Sequence, residues 1–252
     1  MSKRRVRADA LLAERGFAVS VAEAGALILA GKVLVSEQPG KERKILKAGE
    51  PILEQARFRL KGDRRAYVSR AGHKLEAALD AFGVTVEGRV ALDLGLSTGG
   101  FTDCLLQRGA TRVHGVDVAY GIVDWRLRTD PRLVLHERVN ARELALVRLG
   151  ETVDLVVIDL SFIGLDAIWR VLPPLLAPGG EVVALVKPQF ELPRDQVGEG
   201  GIVSSPKARE AALDKARLDA RNAGLEPLDA MDCPVAGRSG NRELLLRLRV
   251  AD

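Results

Sequence analysis

The larger part of the chain alternates short, almost continuous apolar runs with stretches in which apolar residues recur at helical spacing. The apolar runs are predicted to be buried strands, and they begin at Val90, Val113, Leu133, Val153 and Val182. Buried strands that alternate with helices are typical of a parallel sheet with helices on both faces. The pattern therefore predicts an α/β fold.

The segments around these strands add helices and a closing pair of strands. Ser205 and Pro206 are predicted to cap and open a long helix, and another helix is predicted over 165–176. The chain ends with two strand-like stretches near 226–231 and 243–250, which are predicted to pair antiparallel.

One predicted helix carries cations close to its start. It begins at Ser69 and ends at Gly83, and Leu79 lies on its apolar stripe. Arg70 and Lys74 lie in its first two turns, off that stripe, where cations oppose the helix dipole. This unfavourable placement favours a functional role, although Lys74 taken alone is interpreted as a surface lysine.

The first 62 residues have a different pattern of short helices followed by strands. Helices are predicted from Asp9 to Arg15, before Gly16, and from the Ser20–Glu23 capping box to Gly31, and strands at Val33–Val35 and Ile52–Leu53. So few residues form only a small core, which favours a binding module over an enzyme. We predict a binding domain over 1–62, a linker over 63–68 and a second domain over 69–252.

Charge is distributed unevenly between the two parts of the chain. Residues 1–74 hold 17 Lys and Arg against 8 Asp and Glu, and the remainder holds 21 against 26. A basic first part suggests a polyanionic partner for that part. The alternative is a basic surface that only contacts solvent.

Several classes of protein are not expected. No run of 18 or more apolar residues occurs, so we expect no membrane-spanning helix. The basic N-terminus leads into no apolar signal core, and the two cysteines, Cys104 and Cys233, have no neighbours at metal-ligand spacing. We expect a cytoplasmic protein without a metal site.

A glycine-rich turn follows the first strand of the α/β part. It reads Asp93-x-Gly95-x-x-x-Gly99-Gly100, whereas a dinucleotide site has Gly-x-Gly-x-x-Gly and a phosphate-binding loop has Gly-Lys-Ser/Thr. Further polar residues, Asp117, Asp159 and Lys187, are predicted to end later strands. Ligands of such sheets bind at the carboxyl ends of the strands, so we expect a cofactor pocket there.

This turn resembles the first motif of Rossmann-like class I methyltransferases that use S-adenosylmethionine. The resemblance implies that the glycines admit the methionine part of the cofactor, that Asp117 accepts the ribose hydroxyls, and that Asn140 lies near the adenine. The residues predicted to bind the cofactor are Asp93, Gly95, Ser97, Thr98, Gly99, Gly100, Phe101, Asp117, Val118, Asn140 and Asp159.

The predicted methyl acceptor is a hydroxyl group. Enzymes that methylate amines commonly have Asn/Asp-Pro-Pro-Tyr/Phe after the fourth strand, whereas this chain has Asp159-Leu-Ser-Phe162. A hydroxyl needs a base to become a nucleophile, and a lysine can serve when burial or a second cation lowers its pKa. Lys74, Asp159, Lys187 and Glu243 resemble the Lys-Asp-Lys-Glu tetrad of FtsJ-like RNA ribose 2′-O-methyltransferases. That resemblance implies Lys187 as the base, Lys74 as the second cation, and two orienting carboxylates.

The first part of the chain resembles the S4 RNA-binding domain. The similarity is carried by Arg7-x-Asp9-x-x-Leu12, by the segment 26–35 and by Lys47-Ala-Gly49, although Ser20-Val21 replaces the common Ser-Arg. The predicted fold is thus a Rossmann-like S-adenosylmethionine-dependent methyltransferase sheet with a small α+β S4-like domain. The residues predicted to bind RNA are Arg4, Arg5, Arg7, Lys32, Arg64, Arg65 and Arg70.

Taken together, the motifs resemble the TlyA, or haemolysin A-like, family over almost the whole chain. They include Ser-Arg-Ala-Gly-His-Lys74, Val-Lys187-Pro-Gln-Phe-Glu and Gly-Asn-Arg-Glu243, with Leu96 where the family has a small residue. The resemblance implies 2′-O-methylation of cytidines in ribosomal RNA of the 30S or 50S subunit. Three alternatives remain: a non-catalytic ribosome-assembly factor, a membrane-active haemolysin, and methylation of a base.

Overall fold

The computed structural model describes residues 4–15, 17–18, 20–38, 41–60, 67–237 and 240–250. The chain divides into two units, residues 1–66 and residues 67–252. The predicted linker 63–68 falls mostly outside the described residues, as does Gly16.

The described residues of the first unit form two helices and five short strands. They are β1 (Arg5–Arg7), α1 (Ala8–Glu14), α2 (Val21–Leu29), β2 (Val33–Gln38), β3 (Lys41–Lys44), β4 (Pro51–Leu53) and β5 (Arg57–Leu60). Strand β1 pairs with β4, and β2 lies between β3 and β5; all three pairings are antiparallel. Apolar side chains from both helices and from these strands form one small core.

Hydrogen bonds to the first N–H groups of each helix explain where the two helices begin. The Ser20 hydroxyl accepts a hydrogen bond from the Glu23 N–H at 3.1 Å, which confirms Ser20 as the N-cap of α2. At α1, the N–H groups of Ala8 and Asp9 donate to the carbonyls of Glu50 and Ala48, at 3.0 Å each. These groups have no acceptor within the helix, so the segment before β4 caps α1.

The second unit contains seven strands and seven helices among its described residues. They are α3 (Ala71–Phe82), β6 (Val90–Leu94), α4 (Gly100–Gln107), β7 (Arg112–Asp117), α5 (Trp125–Arg128), β8 (Leu133–Glu137), α6 (Leu146–Leu149), β9 (Val153–Ile158), α7 (Asp166–Trp169), β10 (Leu176–Val186), α8 (Pro188–Glu191), α9 (Pro206–Asn222), β11 (Leu225–Asp232) and β12 (Leu244–Val250). The strands form one sheet in the order β11-β12-β10-β9-β6-β7-β8.

The sheet confirms the predicted α/β fold. Its five strands from β10 to β8 are parallel, and β12 pairs antiparallel with both β10 and β11, as the sequence predicts for the last two strands. The first strand of this sheet in the sequence, β6, lies near its middle. The following strands β7 and β8 extend the sheet on one side of β6, and β9 and β10 extend it on the other side. The loops after β6 and β9 therefore diverge at a switch point, where sheets of this kind bind ligands.

Alternate residues of each central strand enter different cores. Leu92 and Val156 belong to one buried cluster, whereas Ala91, Leu155 and Val157 belong to another. Because neighbouring side chains of a strand point to opposite faces, the sheet is buried on both sides. No helix of the described ranges is long and apolar enough to cross a bilayer.

Two of the predicted helices had different outcomes. Helix α9 is confirmed, and the Ser205 hydroxyl caps it by accepting from the Ala208 N–H at 3.3 Å. The predicted helix over 165–176 is wrong, because only α7 and a 3-10 turn form before β10 starts at Leu176. Pro173 begins that turn, and consecutive prolines lack the N–H groups needed to continue a helix.

Candidate active site

A cavity of about 610 Å³ opens in the second unit beside the loops that follow β6, β9 and β10. The start of α3 and the segment before β12 complete its wall. Lys74, Asp159, Lys187 and Glu243 all line it, although they come from four different elements. The structure therefore brings the four residues of the predicted tetrad into one cavity.

Lys74 and Glu243 form a buried ion pair at one part of this cavity. The Lys74 Nζ lies 2.5 Å from Glu243 Oε2, and the two residues are only 9% and 3% exposed. The interpretation of Lys74 as a surface lysine is wrong, because α3 places it against the start of β12. Gly237 leaves room for the carboxylate, since a Cβ there would lie 2.4 Å from Glu243 Oε1.

Lys187 and Asp159 form a second ion pair. The Lys187 Nζ lies 2.6 Å from Asp159 Oδ1 and donates to the Ser161 hydroxyl at 3.0 Å. Lys187 follows the last residue of β10, and Asp159 follows β9, so the parallel pairing of these strands brings them together. Ser161, which the sequence analysis missed, fixes the ammonium group from a second direction.

The glycine-rich turn after β6 depends on residues without a side chain. Gly95 and Gly99 have φ values of +89° and +98°, a region that glycine adopts readily. A Cβ on Gly95 would lie 2.6 Å from the Asp159 carbonyl oxygen, and one on Gly100 would lie 2.2 Å from the Ser69 hydroxyl. The turn therefore packs closely against the loop that carries Asp159 and against the start of α3.

Asp93, the last but one residue of β6, is fully buried beneath this turn. Its Oδ2 accepts hydrogen bonds from the N–H and the hydroxyl of Thr102, at 3.0 and 2.7 Å, whereas its Oδ1 has no hydrogen-bond partner in the part of the chain that the structure describes. Burial raises the pKa of Asp93 to about 7, and the charges of Asp159 and Asp117 add to the rise against the opposing effect of Thr102. The site thus holds a carboxyl group that a nearby cation would ionise.

The predicted cofactor residues divide into two groups. Those that line the cavity are Gly95, Ser97, Thr98, Gly100, Phe101 and Asp159. Asp93, Gly99, Asp117, Val118 and Asn140 are not among the lining residues, but Asp117 is held against the turn because its Oδ2 accepts from the Ser97 N–H at 2.7 Å. Asn140 is near the same strand end, since the preceding residue, Val139, donates its N–H to the Asp117 carbonyl at 3.0 Å.

These features fit S-adenosylmethionine. The glycines let the turn pack closely against the Asp159 loop and the start of α3, and Asp93 beneath it supplies a buried oxygen without a hydrogen-bond partner among the described residues, near which a cationic amino group is favourable. Asp117 ends β7 beside the turn, where its carboxylate could accept hydrogen bonds from hydroxyl groups. Among the described residues, no cluster of His, Cys, Asp and Glu is arranged to hold a metal ion.

The residues predicted to bind RNA lie in both units. In the first, Arg5 and Arg7 are ion-paired with Glu37 at 3.6 Å and with Asp9 at 2.6 Å. Arg4 lies 3.6 Å from Glu54, and Lys32 is exposed. In the second, Arg70 lines the cavity. Arg64 and Arg65 lie outside the described residues.

The cavity also contains residues whose role the sequence analysis did not identify. Phe162 is 92% exposed, has a φ of +68°, and its ring centroid lies 5.5 Å from that of Phe190. Asn241 and the backbone of Gly200 and Gly201 form another part of the wall. Phe162 and Asn241 belong to the sequence motifs around Asp159 and Glu243. The sequence therefore contained both residues within recognised motifs, but it did not show that they line the cavity.

The departure at Leu96 has a simple structural explanation. Its side chain is 2% exposed and belongs to one of the two buried clusters of the sheet. Gly115 on β7 makes room for it, since a Cβ there would lie 2.8 Å from Leu96 Cδ2. The larger residue is thus accommodated in the core beneath the turn.

Comparisons with known proteins agree with this geometry. The model of the FtsJ-like methyltransferase family matches residues 67–250. The 16S/23S rRNA (cytidine-2′-O)-methyltransferase TlyA of Mycobacterium tuberculosis is 43% identical over 247 residues, which cover 98% of this chain and 90% of that protein. Hemolysin A of Brachyspira hyodysenteriae is 34% identical over 241 residues, which cover 95% and 98%.

Solved structures give the same result. A protein from Streptococcus thermophilus, which also carries the name hemolysin, superposes with a TM-score of 0.73 at 37% identity, over 100% of this chain and 90% of that one. The predicted family and the predicted cofactor are confirmed. The chain belongs to the FtsJ-like methyltransferases, S-adenosylmethionine-dependent enzymes, and within them to the TlyA group.

Proposed function

We propose that this enzyme methylates the ribose 2′-hydroxyl of a cytidine in ribosomal RNA, within the 30S subunit, the 50S subunit or both. The observation that carries the proposal is the pair of lysine–carboxylate contacts in one cavity beside the glycine-rich turn. The Mycobacterium tuberculosis relative, a 16S/23S rRNA (cytidine-2′-O)-methyltransferase, supports it. An rRNA substrate would place the enzyme in the cytoplasm.

Lys187 is the proposed general base. In its neutral form its Nζ accepts the proton of the 2′-hydroxyl, so that the oxygen becomes the nucleophile. Asp159 and Ser161, at 2.6 and 3.0 Å, hold the Nζ in place. Lys74 supplies a second positive charge that Glu243 fixes at 2.5 Å. When bound, S-adenosylmethionine supplies an electrophilic methyl group on a sulfonium centre.

Positioning accounts for much of the expected rate enhancement. Two reactants held in line by one cavity react as an intramolecular pair. Such positioning can lower the activation free energy of methyl transfer by several kcal/mol, at most about 11. The turn at Gly95 holds the methyl donor, and the two ion pairs hold the acceptor side. We further propose that the S4-like unit over 1–62 binds rRNA phosphates through its basic residues, with the linker 63–68 joining it to the catalytic domain.

Methyl transfer with a matched variant tests the proposal. Labelled S-adenosylmethionine is incubated with unmodified 30S and 50S subunits and with wild-type protein or Lys187→Ala, and the modified nucleotide is identified by mass spectrometry. We expect 2′-O-methylcytidine with the wild type and none with the variant, which should bind the cofactor normally. Transfer by the variant would refute the assignment of the base. Subunit binding without any transfer would support the assembly-factor alternative. A methylated base would instead support the alternative of base methylation.

A further inference from the structure

A short glycine-containing segment forms part of the cavity wall. It spans residues 198–203, before α9, and its Gly200 and Gly201 line the cavity. Their φ values are +70° and +76°, and a Cβ on either would meet no atom of the described residues within 4 Å. Both residues therefore present bare backbone to open space.

Asn241 joins this segment to the loop that carries Glu243 and leads into strand β12. Its Oδ1 accepts from the Val203 N–H at 2.9 Å, and its Nδ2 donates to the Gly201 carbonyl at 2.8 Å. Asn241 is only 4% exposed and lies two residues before Glu243. Because donor and acceptor of a buried amide are both used, the segment is fixed relative to that strand.

The segment has an internal turn of its own. The Gly198 N–H donates to the Ile202 carbonyl, and the Gly201 N–H donates to the Gly198 carbonyl, at 3.1 Å each. These bonds close the loop but do not place it in the cavity, whereas the two bonds of Asn241 connect it across about forty residues of sequence. The amide is thus well suited to set where the loop lies.

We infer that Asn241 is a positioning residue, and that the Gly200–Gly201 backbone it holds is the surface against which the acceptor ribonucleotide lies. The inference rests on the proposed function. A ribose with its adjoining phosphodiester needs close approach to reach Lys187, and residues without a Cβ allow it. The amide of Asn241 bonds to the loop through both its oxygen and its nitrogen, so we expect it to act through the loop.

The test compares two variants of this wall with a matched control. Asn241→Asp keeps the acceptor for Val203 and loses the donor to Gly201. Gly201→Ala places a methyl group on the wall at a positive φ. Gly179→Ala is the control, because Gly179 also has a positive φ, +73°, with no atom within 4 Å of its Cβ, and lies outside the cavity lining. The three variants separate backbone strain from an effect on the acceptor.

Steady-state methyl transfer to ribosomal subunits and calorimetric titration of S-adenosylmethionine are the measurements. For Asn241→Asp and Gly201→Ala we expect the KM for the subunit to rise about tenfold, the effect of one lost hydrogen bond. The kcat should change less than about threefold and the cofactor affinity less than about twofold, since the lysines and the turn are untouched. Gly179→Ala should match the wild type in all three.

The outcomes distinguish this inference from the proposed function. If the wild type transfers methyl groups but the two wall variants have the same KM as Gly179→Ala, the acceptor surface lies elsewhere. If cofactor affinity falls in parallel with KM, Asn241 has only a general structural role, and the inference is again wrong. A wild type that binds the cofactor and methylates no subunit refutes the proposed function, and this inference with it.

Discussion

The two units of this protein use charged residues in opposite ways. In the first unit, Arg43 lies at the surface between Glu37 and Glu50, and 46% of its side chain is exposed. In the second, Lys74 and Glu243 are paired inside a cavity and almost fully buried. Exposed pairs contribute little to stability, whereas a buried pair is costly to desolvate. Because both residues also line the cavity, the buried pair favours a role in function.

The acidic groups show the same contrast. The Leu53 N–H and the Arg43 guanidinium lower the pKa of Glu37, because both stabilise its charged form. Burial raises the pKa of Asp93 to about 7, because no charged partner compensates for the loss of water. Glu37 of the first unit is thus a compensated carboxylate, whereas Asp93 of the second is an uncompensated carboxyl group beneath the glycine-rich turn.

The largest effect is expected from breaking the buried pair. Glu243→Ala leaves the Lys74 ammonium without its partner, which should lower the free energy of unfolding by about 3 kcal/mol and the rate of methyl transfer at least about a hundredfold. Denaturant unfolding and the transfer assay measure the two effects.

A double variant serves as the control for this prediction. Lys74→Met with Glu243→Leu replaces the pair by apolar side chains, which should restore most of the stability without restoring activity. Recovery of both stability and activity would contradict a functional role for the pair.

The next largest effect is expected at the turn. Gly95→Ala requires a positive φ and places a Cβ 2.6 Å from the Asp159 carbonyl, so it should cost about 1–3 kcal/mol of stability and weaken cofactor binding strongly. Gly150→Ala is the comparison, because its φ is +80° and its Cβ would meet no atom within 4 Å. Equal losses of cofactor affinity in both would show that strain alone, and not the contact with the Asp159 loop, is responsible.

A smaller, pH-dependent effect is expected from Asp93. Its carboxyl is protonated below its pKa of about 7, and a cationic ligand nearby favours the ionised form. Binding of S-adenosylmethionine should therefore release a proton and weaken as the pH falls from 8 to 6. Calorimetric titration across this range measures it, and Asp93→Asn should show a flat profile. A wild-type profile as flat as that of the variant would refute the coupling.

The same group should affect the stability of the cofactor-free protein in the opposite direction. The pKa of Asp93 is raised in the folded state, so the folded protein binds more protons than the unfolded chain at a pH between the two pKa values. Stability from this group is present at low pH and is lost as the pH rises toward 7. Unfolding curves of wild type and Asp93→Asn should therefore diverge as the pH increases.

The smallest effect is expected in the first unit. Arg43→Ala removes two surface ion pairs, with Glu37 and Glu50, and should change the free energy of unfolding by at most about 1 kcal/mol, less at high salt. Denaturant unfolding at low and high salt measures it. A loss as large as that of Glu243→Ala would remove the contrast between the units.

The sequence was sufficient for most local structure. The capping residues Ser20 and Ser205 begin helices where the pattern placed them, because an N-cap is decided by residues within one turn. The helix predicted over 165–176 does not form. Pro173 and Pro174 lack the N–H groups that a continuing helix needs, and this local effect outweighs the apolar spacing.

The site was only partly open to sequence reasoning. The motifs indicated Lys187 and Asp159 because strand ends of a parallel sheet meet at one edge. They could not show that Ser161 holds Lys187, or that Asn241 fixes a loop some forty residues away. Such contacts depend on the directions in which side chains point, and the spacing of residues along the chain does not reveal those directions.

The sequence by itself determined the order of strands and helices, the glycine-rich turn and the family, since these follow from periodicity and from residues close together in the chain. Only the tertiary structure decided that Lys74, which the pattern placed off the apolar stripe, is buried against Glu243. Residues 169 positions apart meet there because α3 packs beside the start of β12, and burial then makes each charge depend on the other.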